Sequence, residues 1–565
     1  MRFPIKGNIM EKKLICFIIV SIMCMSSVVL SANDEYSGRT NKNSSTANLG
    51  QIEVLSDDLL RYITPNDPAM TSSRGPGPGY YDTSEYFIGS VGVGLIFLES
   101  NGAIDPSTED WSTTEINNVQ SEINQAMTWW SNQNQYAGVN YVLDVHTAVP
   151  TSYEPIIHPS AMTDPTYEKL WVCEAMASLG YSSGDWMQRT RDYVNAMRTA
   201  KNTDWAFTVF LVDSSNDIGG DFSDGYFAYA YLGGPYIVMT YDNDGWGISA
   251  MDQVMAHETA HMFWATDEYD GYTEYSGYLN AADVEGSGGL MDTNTLFLSS
   301  GTKLQIGWRD TDGDTIQDII DTCPETLLTP YPQDPTPNPI LTYTGSATEV
   351  PYPNANPQPG CAGNDVTINS IYVVFYSIDG GYWIPANPSD GIWDDPMENY
   401  DFTTTSLPHG VHTIESRAMN TVGNIDSSPA TDTITIDIAP DTPMITGTVQ
   451  GKTGQMYQYN VSTNDLDGDL IFYWIDWGDG TNTGWLGPHP PGFLLQVTHS
   501  WSTKGTYHVK VKAKDTFSME SPWATIDVTM PMSTLYNGNF IRAFLQTHPL
   551  LHQLLSLLFH TMAMK

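Results

Sequence analysis

Two histidines separated by three residues place the strongest constraint on how this chain folds. His257 and His261 belong to the segment HETAHMFWATDEY, residues 257–269. An α-helix with 3.6 residues per turn puts positions i and i+4 on one face, so both imidazoles can bind one Zn²⁺. Glu258 is the predicted catalytic base, which takes a proton from the attacking water. The alternative is that both histidines are ordinary residues of a core or surface helix.

Two histidines leave one protein ligand of a tetrahedral zinc site to be found. Asp267 lies ten residues after His257, and on an unbroken helix it would be about 15 Å away along the axis. The chain therefore has to turn back within 263–266 if Asp267 is to bind the same metal. Glu268 is the alternative third ligand.

This pattern resembles the metzincin clan of zinc peptidases. The resemblance rests on H-E-x-x-H-x-x-x-x-x-D over residues 257–267 and on GLMD over residues 289–292. It implies an α/β (α+β) catalytic domain in which Asp267 is the third zinc ligand and Met291 forms a Met-turn beneath the metal. It also implies a zinc metallopeptidase in which Glu258 assists the attack of water on a peptide bond.

One residue of the turn departs from the family pattern. Trp264 stands where the family has glycine. A left-handed backbone at a residue other than glycine costs about 1–2 kcal/mol, so we expect the turn of this chain to differ from that of the family.

The N-terminus predicts an extracellular protein. Residues 1–13 carry four basic side chains, and an apolar run follows over residues 14–30. This arrangement is typical of a secretory signal peptide, here assigned to residues 1–32, and an uncleaved membrane anchor is the alternative. Residues 33–79 are polar and are predicted to be a linker or propeptide.

The charge balance argues against one class of partner. Lys and Arg number 23 against 66 Asp and Glu, which gives a net charge of −43. A polyanion of this size repels phosphate backbones, so no nucleic-acid partner is expected.

Residues 80–323 show the mixed periodicity of an α/β domain with a twisted mixed sheet and an active-site helix. Apolar runs and alternation predict strands over 90–99, 139–145, 206–212, 226–232 and 236–241. Amphipathic patterns predict helices over 113–131, 167–179 and 184–200 and from about residue 249. The segment 226–233 is the candidate edge strand along which an extended substrate pairs, and a plain β-hairpin is the alternative.

Beyond residue 323 the helical period disappears. Residues 324–361 are rich in proline and are predicted to be an extended linker, and a disulfide between Cys323 and Cys361 is the most plausible pairing. Residues 362–438 and 439–530 alternate in short segments typical of two β-sandwiches. The first resembles an immunoglobulin-like (Ig-like) domain, and WIDWGDG at 474–480 resembles a PKD domain. Residues 531–565 form an apolar tail, either a docking helix or an interfacial anchor.

A calcium loop is predicted at residues 310–321, and an acidic, solvated turn is the alternative. Its oxygen ligands would be the side chains or carbonyl of Asp310, Asp312, Asp314, Ile316, Asp318 and Asp321. Carboxylates at this spacing can surround Ca²⁺, and we expect the ion to brace the end of the catalytic domain. Asp465, Asp467 and Asp469 form either a second calcium site or a plain acidic turn. His409 is expected to be a turn or strand-end residue.

Together these features predict a secreted or cell-surface zinc endopeptidase that acts on a protein or peptide. Its Ig-like and PKD modules would attach it to a cell surface or an extracellular polymer. The competing hypothesis is an adhesive surface protein whose zincin-like domain is inactive, and a milder variant is a zinc hydrolase that acts on non-peptide amides. The intact Glu258 favours catalysis.

Overall fold

The computed structural model describes residues 75–531 and, in the tail, residues 543, 545–551, 553, 554 and 556. The predicted signal peptide, nearly all of the predicted linker or propeptide and most of the predicted tail lie outside the described residues. Within the described part, no helix combines the length and the apolar character needed to cross a bilayer.

A five-stranded mixed sheet forms the centre of residues 80–323, which we call the N-terminal unit. Its elements are β1 (Ser90–Ser100), α1 (Thr113–Gln133), β2 (Asn140–Thr151), α2 (Pro165–Ser178), α3 (Trp186–Lys201), β3 (Trp205–Val212), β4 (Ala228–Ala230), β5 (Tyr236–Thr240) and α4 (Met251–Met262). The strand order is β2-β1-β3-β5-β4, and every pair is parallel except β4 with β5. The predicted strands and helices are all present, although β4 is shorter than predicted.

Successive side chains of a β-strand point to opposite faces of the sheet, so the side chains of this sheet lie in two different cores. Phe207 and Leu211 of β3 lie in the core that also contains α1 and α4, whereas Phe210 and Val212 lie in the core that contains α2 and α3. The sheet is therefore covered on both faces, and α4 carries the two histidines against one of them. Four short elements follow, namely β6 (Tyr275–Ser276), β7 (Ala281–Ala282), α5 (Leu290–Thr293) and α6 (Ser300–Gln305).

A β-sandwich follows, and it begins earlier than predicted. Its strands are β8 (Glu325–Leu328), β9 (Thr342–Thr348), β10 (Ile371–Ile378), β11 (Ile384–Pro385), β12 (Asn387–Pro388), β13 (Met397–Thr403), β14 (Gly410–Asn420) and β15 (Ala430–Ile436). They form two sheets, of order β11-β10-β14-β15 and β12-β13-β9-β8. We call residues 325–436 the middle sandwich.

The prediction that residues 324–361 form an extended linker is therefore wrong. The two segments that form β8 and β9 contain no proline, so their amide groups are free to pair with neighbouring strands. The prolines lie in the connections instead. The high proline content of residues 324–361 as a whole suggested a linker, although the two strand segments themselves contain no proline.

The rest of the predicted linker packs on the N-terminal unit. The Tyr278 hydroxyl donates to the carbonyl of Tyr352 (2.8 Å) and accepts from the amide of Val366 (2.8 Å). The predicted disulfide is also wrong, because Cys323 and Cys361 are both free. The thiol of Cys361 instead lies 3.8 Å from a carboxylate oxygen of Glu85.

The last sandwich contains β16 (Met444–Gly447), β17 (Tyr457–Ser462), β18 (Ile471–Asp476), β19 (Asn482–His489), β20 (Leu495–His499), β21 (Gly505–Lys514) and β22 (Ala524–Met530). Its two sheets have the orders β16-β17-β20 and β19-β18-β21-β22. Trp477 and Trp501 are buried between them, and the indole of Trp501 donates to the carbonyl of Trp477 (3.1 Å). The molecule is thus a multidomain protein in which a mixed α/β unit precedes two β-sandwiches.

Candidate metal centre

The two histidines of α4 face each other inside the N-terminal unit. Both side chains are buried, and their Nε2 atoms are 3.0 Å apart. The Nδ1 atom of His257 lies 2.9 Å from the carbonyl oxygen of Leu290, and that of His261 lies 2.7 Å from the carbonyl oxygen of Ala265. A carbonyl only accepts hydrogen bonds, so each Nδ1 carries the proton and each Nε2 offers a lone pair.

A sharp turn after α4 brings Asp267 back to the histidines. The Oδ1 atom of Asp267 lies 3.2 Å from Nε2 of His257 and 3.5 Å from Nε2 of His261. Trp264 adopts a φ of 72°, and the amide of Ala265 donates to the carbonyl of Ala260 (3.0 Å). Trp264 therefore takes up the left-handed conformation despite its cost for a residue other than glycine.

Gly233 explains how a tryptophan is tolerated there. A Cβ atom built on Gly233 would lie only 2.2 Å from Cζ2 of Trp264, so the indole occupies the space that a side chain would fill. The Gly233 amide also donates to the carbonyl of His261 (2.9 Å), and its φ of 77° favours glycine. This contact was missed from the sequence, because Gly233 and Trp264 lie 31 residues apart.

Glu258 is buried beside this group without a partner. Neither carboxylate oxygen forms a hydrogen bond within the described residues. Burial raises the pKa of Glu258 to about 8; the nearby His257 lowers it, and Asp267 raises it further. Burial also acts to raise the pKa of Asp267, but the two imidazoles outweigh it and hold that pKa below its usual range.

Glu268, the alternative third ligand, is engaged elsewhere. Its carboxylate accepts from the hydroxyls of Ser287 (2.5 Å), Ser299 and Thr302 (3.1 Å). Its amide donates to the carbonyl of Met291 (2.9 Å). The structure therefore brings Asp267 to the histidines, and it uses Glu268 to hold the segment that contains Met291.

Met291 lies in the hydrophobic core below α4. Its side chain is fully buried, and the preceding carbonyl, from Leu290, is the one that orients His257. The GLMD segment thus orients His257 through the carbonyl oxygen of Leu290. Every residue type has such a carbonyl, so the sequence motif does not reveal this contact.

The donor set fits a zinc ion. The ligand atoms of His257, His261 and Asp267 all lie within 4.8 Å of one another. Donors at about 2.0–2.1 Å from a tetrahedral zinc are about 3.3 Å from each other, close to the observed spacings. Three acceptor atoms converge with no proton donor between them, an arrangement that a cation stabilises.

The predicted calcium loop is assembled only in part. Oxygen atoms of Asp310, Asp312 and Asp314 lie within 4.8 Å of one another, near the protein surface. The carboxylate of Asp310 accepts from the amides of Gly313 (2.8 Å) and Thr315 (3.0 Å), which closes the loop.

The other predicted calcium ligands have different contacts. Asp318 accepts from Nε of Arg309 (2.5 Å) and from the amide of Thr311 (2.8 Å). Asp321 accepts from the side-chain amide of Asn424 in the middle sandwich (2.7 Å). The amide of Ile316 donates to Asp314 (2.8 Å). The structure therefore groups the first three carboxylates, whereas Asp318 and Asp321 connect the loop to neighbouring segments.

Comparison with known proteins identifies one module. Residues 444–528 match the PKD domain family. The PKD domain of an M14-like peptidase from Thermoplasmatales archaeon SCGC AB-540-F20 is 44 % identical and covers 17 % of this chain and 98 % of that chain, with a TM-score of 0.17. The PKD1 domain of Vibrio anguillarum Epp is 20 % identical and covers 16 % and 96 %, with a TM-score of 0.12. The PKD domain of human VPS10 domain-containing receptor SorCS2 is 17 % identical and covers 17 % and 76 %, with a TM-score of 0.14.

A search of curated proteins gives no match to this chain. Residues 444–528 are thus a PKD domain, as the WIDWGDG segment predicted. PKD domains occur mainly in extracellular proteins and generally take part in protein or carbohydrate binding.

Proposed function

We propose that residues 80–323 are a secreted zinc-dependent endopeptidase of metzincin type, and that the two sandwiches attach it to an extracellular polymer or cell surface. One observation carries the proposal. Three buried donors, from His257, His261 and Asp267, converge on one point beside the unpartnered carboxylate of Glu258. A purely structural cluster would satisfy such buried groups with hydrogen bonds.

The three donors would hold Zn²⁺, which supplies a Lewis acid that polarises a peptide carbonyl and makes water more acidic. Glu258 does the proton transfer. Its carboxylate accepts a proton from the attacking water and delivers that proton to the nitrogen of the leaving amine. Because neither oxygen of Glu258 forms a hydrogen bond within the described residues, the carboxylate is free to accept that proton.

The edge strand β4 does not offer the predicted pairing site for an extended substrate. It lies at the edge of the sheet, but Phe227, Ala228, Ala230 and Tyr231 are fully buried. Their backbone groups are therefore covered by neighbouring segments, and the proposal does not rest on substrate pairing along residues 226–233.

The PKD module supports attachment, since PKD domains generally bind protein or carbohydrate. A structural Ca²⁺ held by Asp310, Asp312 and Asp314 is a secondary part of the proposal.

The test is a casein digestion assay with metal analysis on the full chain. We expect the wild type to bind one zinc in the centre and to cleave casein. Glu258→Gln should keep the zinc and lose roughly 10²–10⁴-fold in rate, because only proton transfer is removed. Glu274→Gln, which changes an exposed glutamate after the turn, is the matched control and should match the wild type.

Two outcomes would contradict the proposal. Equal cleavage by wild type and Glu258→Gln would show that Glu258 is not the base. A wild type that binds zinc but cleaves neither casein nor gelatin would favour the inactive adhesive protein instead.

A further inference from the structure

A buried carboxylate lies on the face of the sheet opposite the metal centre. Glu168 belongs to the first turn of α2 and is 1 % exposed. Its Oε1 atom accepts hydrogen bonds from the hydroxyls of Tyr231 (2.6 Å) and Tyr236 (2.5 Å). Its Oε2 atom accepts a third, from the hydroxyl of Tyr229. We call these four residues the Glu168 cluster.

The cluster suits an ionised carboxylate. Burial raises the pKa of Glu168, and the three hydroxyl donors oppose that rise. An ionised carboxylate only accepts hydrogen bonds, so all three hydroxyls can donate to it. The N-terminal turn of α2 also favours a negative charge. The charge is therefore compensated by donors that all come from residues 229–236.

Two of the tyrosines flank the turn that joins β4 to β5. Tyr231 directly follows β4, and Tyr236 begins β5. The amide of Tyr231 donates to the carbonyl of Tyr236 (3.2 Å), and the amide of Gly234 donates to the carbonyl of Tyr231 (2.8 Å). Glu168 thus holds both ends of the turn 231–236 through one oxygen atom.

The middle of this turn contacts the metal centre. The amide of Gly233 donates to the carbonyl of His261 (2.9 Å), and the indole of Trp264 fills the space over the Gly233 backbone. Trp264 is the residue at which the chain turns back toward Asp267. A shift of the turn 231–236 would therefore be transmitted to His261 and to the position of Asp267.

We propose that Glu168 is a positioning residue for the group formed by His257, His261 and Asp267, and that it acts through the turn 231–236. The inference rests on the metal centre of the proposed function. An apolar core of the same volume would be less costly than a buried carboxylate, but it would lack the directional hydrogen bonds that fix the turn. Removing a partner that orients metal ligands from outside the coordination sphere typically costs about 10–100-fold in metal affinity.

Tyr229 provides a matched control within the cluster. Its hydroxyl donates to the same carboxylate, but it lies inside β4 and does not flank the turn. Tyr229→Phe and Tyr231→Phe each remove one hydroxyl from Glu168, yet only Tyr231→Phe frees one end of the turn. A purely structural cluster would make the two variants equivalent.

Hydrogen exchange on the metal-free full chain, measured by mass spectrometry, is the first test. Tyr231→Phe should speed exchange about fivefold in peptides that cover 231–236 and 263–267, the effect of losing about one hydrogen bond. Tyr229→Phe should leave both peptides at the parent rate. Because this measurement needs neither metal nor cleavage, it separates the present proposal from the proposed function.

The second test replaces zinc with Co²⁺, whose visible absorption depends on the geometry of its ligands. Glu258→Gln is present throughout to prevent self-digestion. Tyr231→Phe and Glu168→Gln should shift the absorption bands and weaken zinc binding about tenfold, whereas Tyr229→Phe should reproduce the parent spectrum. If Glu168→Gln fails to fold, Tyr236→Phe takes its place, because it frees the other end of the turn.

Equal exchange rates and equal Co²⁺ spectra in Tyr229→Phe and Tyr231→Phe would overturn the proposal and leave Glu168 a purely structural residue. A parent chain that bound neither zinc nor cobalt, but showed the expected difference in exchange, would contradict the proposed function alone.

Discussion

The candidate metal centre on α4 and the acidic loop at 310–314 are both predicted from closely spaced metal-ligand residues, but their surroundings in the structure differ. Around α4, the three donors are buried, and backbone carbonyls orient both imidazoles. In the loop, the carboxylates lie near solvent and are oriented mainly by amides of the loop itself. The two regions therefore differ in whether distant segments hold the ligand side chains in place. We expect tight metal binding and a catalytic role at the α4 centre, and weak metal binding with a structural role at the loop.

The largest expected effect is the loss of the metal from the α4 centre. His261→Ala removes one of the three donor atoms that converge at this centre. We expect stoichiometric zinc and casein cleavage both to disappear. Asp310→Ala is the comparison in the acidic loop, and it should leave zinc content and cleavage unchanged. Equal losses in both variants would break the contrast between the regions.

The third ligand should give the next largest effect. Asp267→Asn keeps the shape of the side chain but removes the negative charge beside the two imidazoles. We expect zinc affinity to fall at least tenfold, measured by competition with a chromophoric chelator. Glu268→Gln should keep zinc affinity within a few-fold, because that carboxylate contacts hydroxyl groups instead. The reverse result would transfer the ligand role to Glu268.

Gly233 tests whether the turn depends on a distant segment. In Gly233→Ala, the new methyl group would meet the indole of Trp264 at 2.2 Å and would also strain a φ of 77°. We expect a loss of about 3 kcal/mol in the free energy of unfolding, measured in urea.

Gly245→Ala is the matched control, because its φ is 73° but no atom lies within 4 Å of the added carbon. It should cost only about 1 kcal/mol. Adding Trp264→Ala to Gly233→Ala should recover part of the loss. Equal costs for the two glycine variants would show that the indole contact contributes nothing.

The smallest effect is expected at the acidic loop. With dissociation constants of about 10⁻⁴–10⁻³ M, typical of weak extracellular sites, 1 mM Ca²⁺ would add only about 0.4–1.4 kcal/mol to stability. Asp312→Asn should abolish that increment in a melting experiment with and without chelator. If Ca²⁺ instead added several kcal/mol to stability and Asp312→Asn removed that gain, the loop would bind its ion about as tightly as we expect of the α4 centre.

The sequence alone determined the features that depend on local periodicity. The spacing of His257 and His261 required a helix, and alternation located the strands around it, because both signals arise from neighbours in the chain. The WIDWGDG segment likewise identified the PKD module, since its turn glycines and core tryptophan are close together in sequence.

Only the tertiary structure decided which groups meet across long separations. Asp267 rather than Glu268 reaches the histidines because the chain turns at Trp264. The indole of Trp264 occupies the space over Gly233, which lies 31 residues earlier in the chain. Residues 325–348 join a sandwich because β13 pairs with β9 and β9 pairs with β8. Asp437 lies near Asp515 only where the two modules touch. Such contacts depend on how whole elements pack, and no residue pattern within one segment encodes that packing.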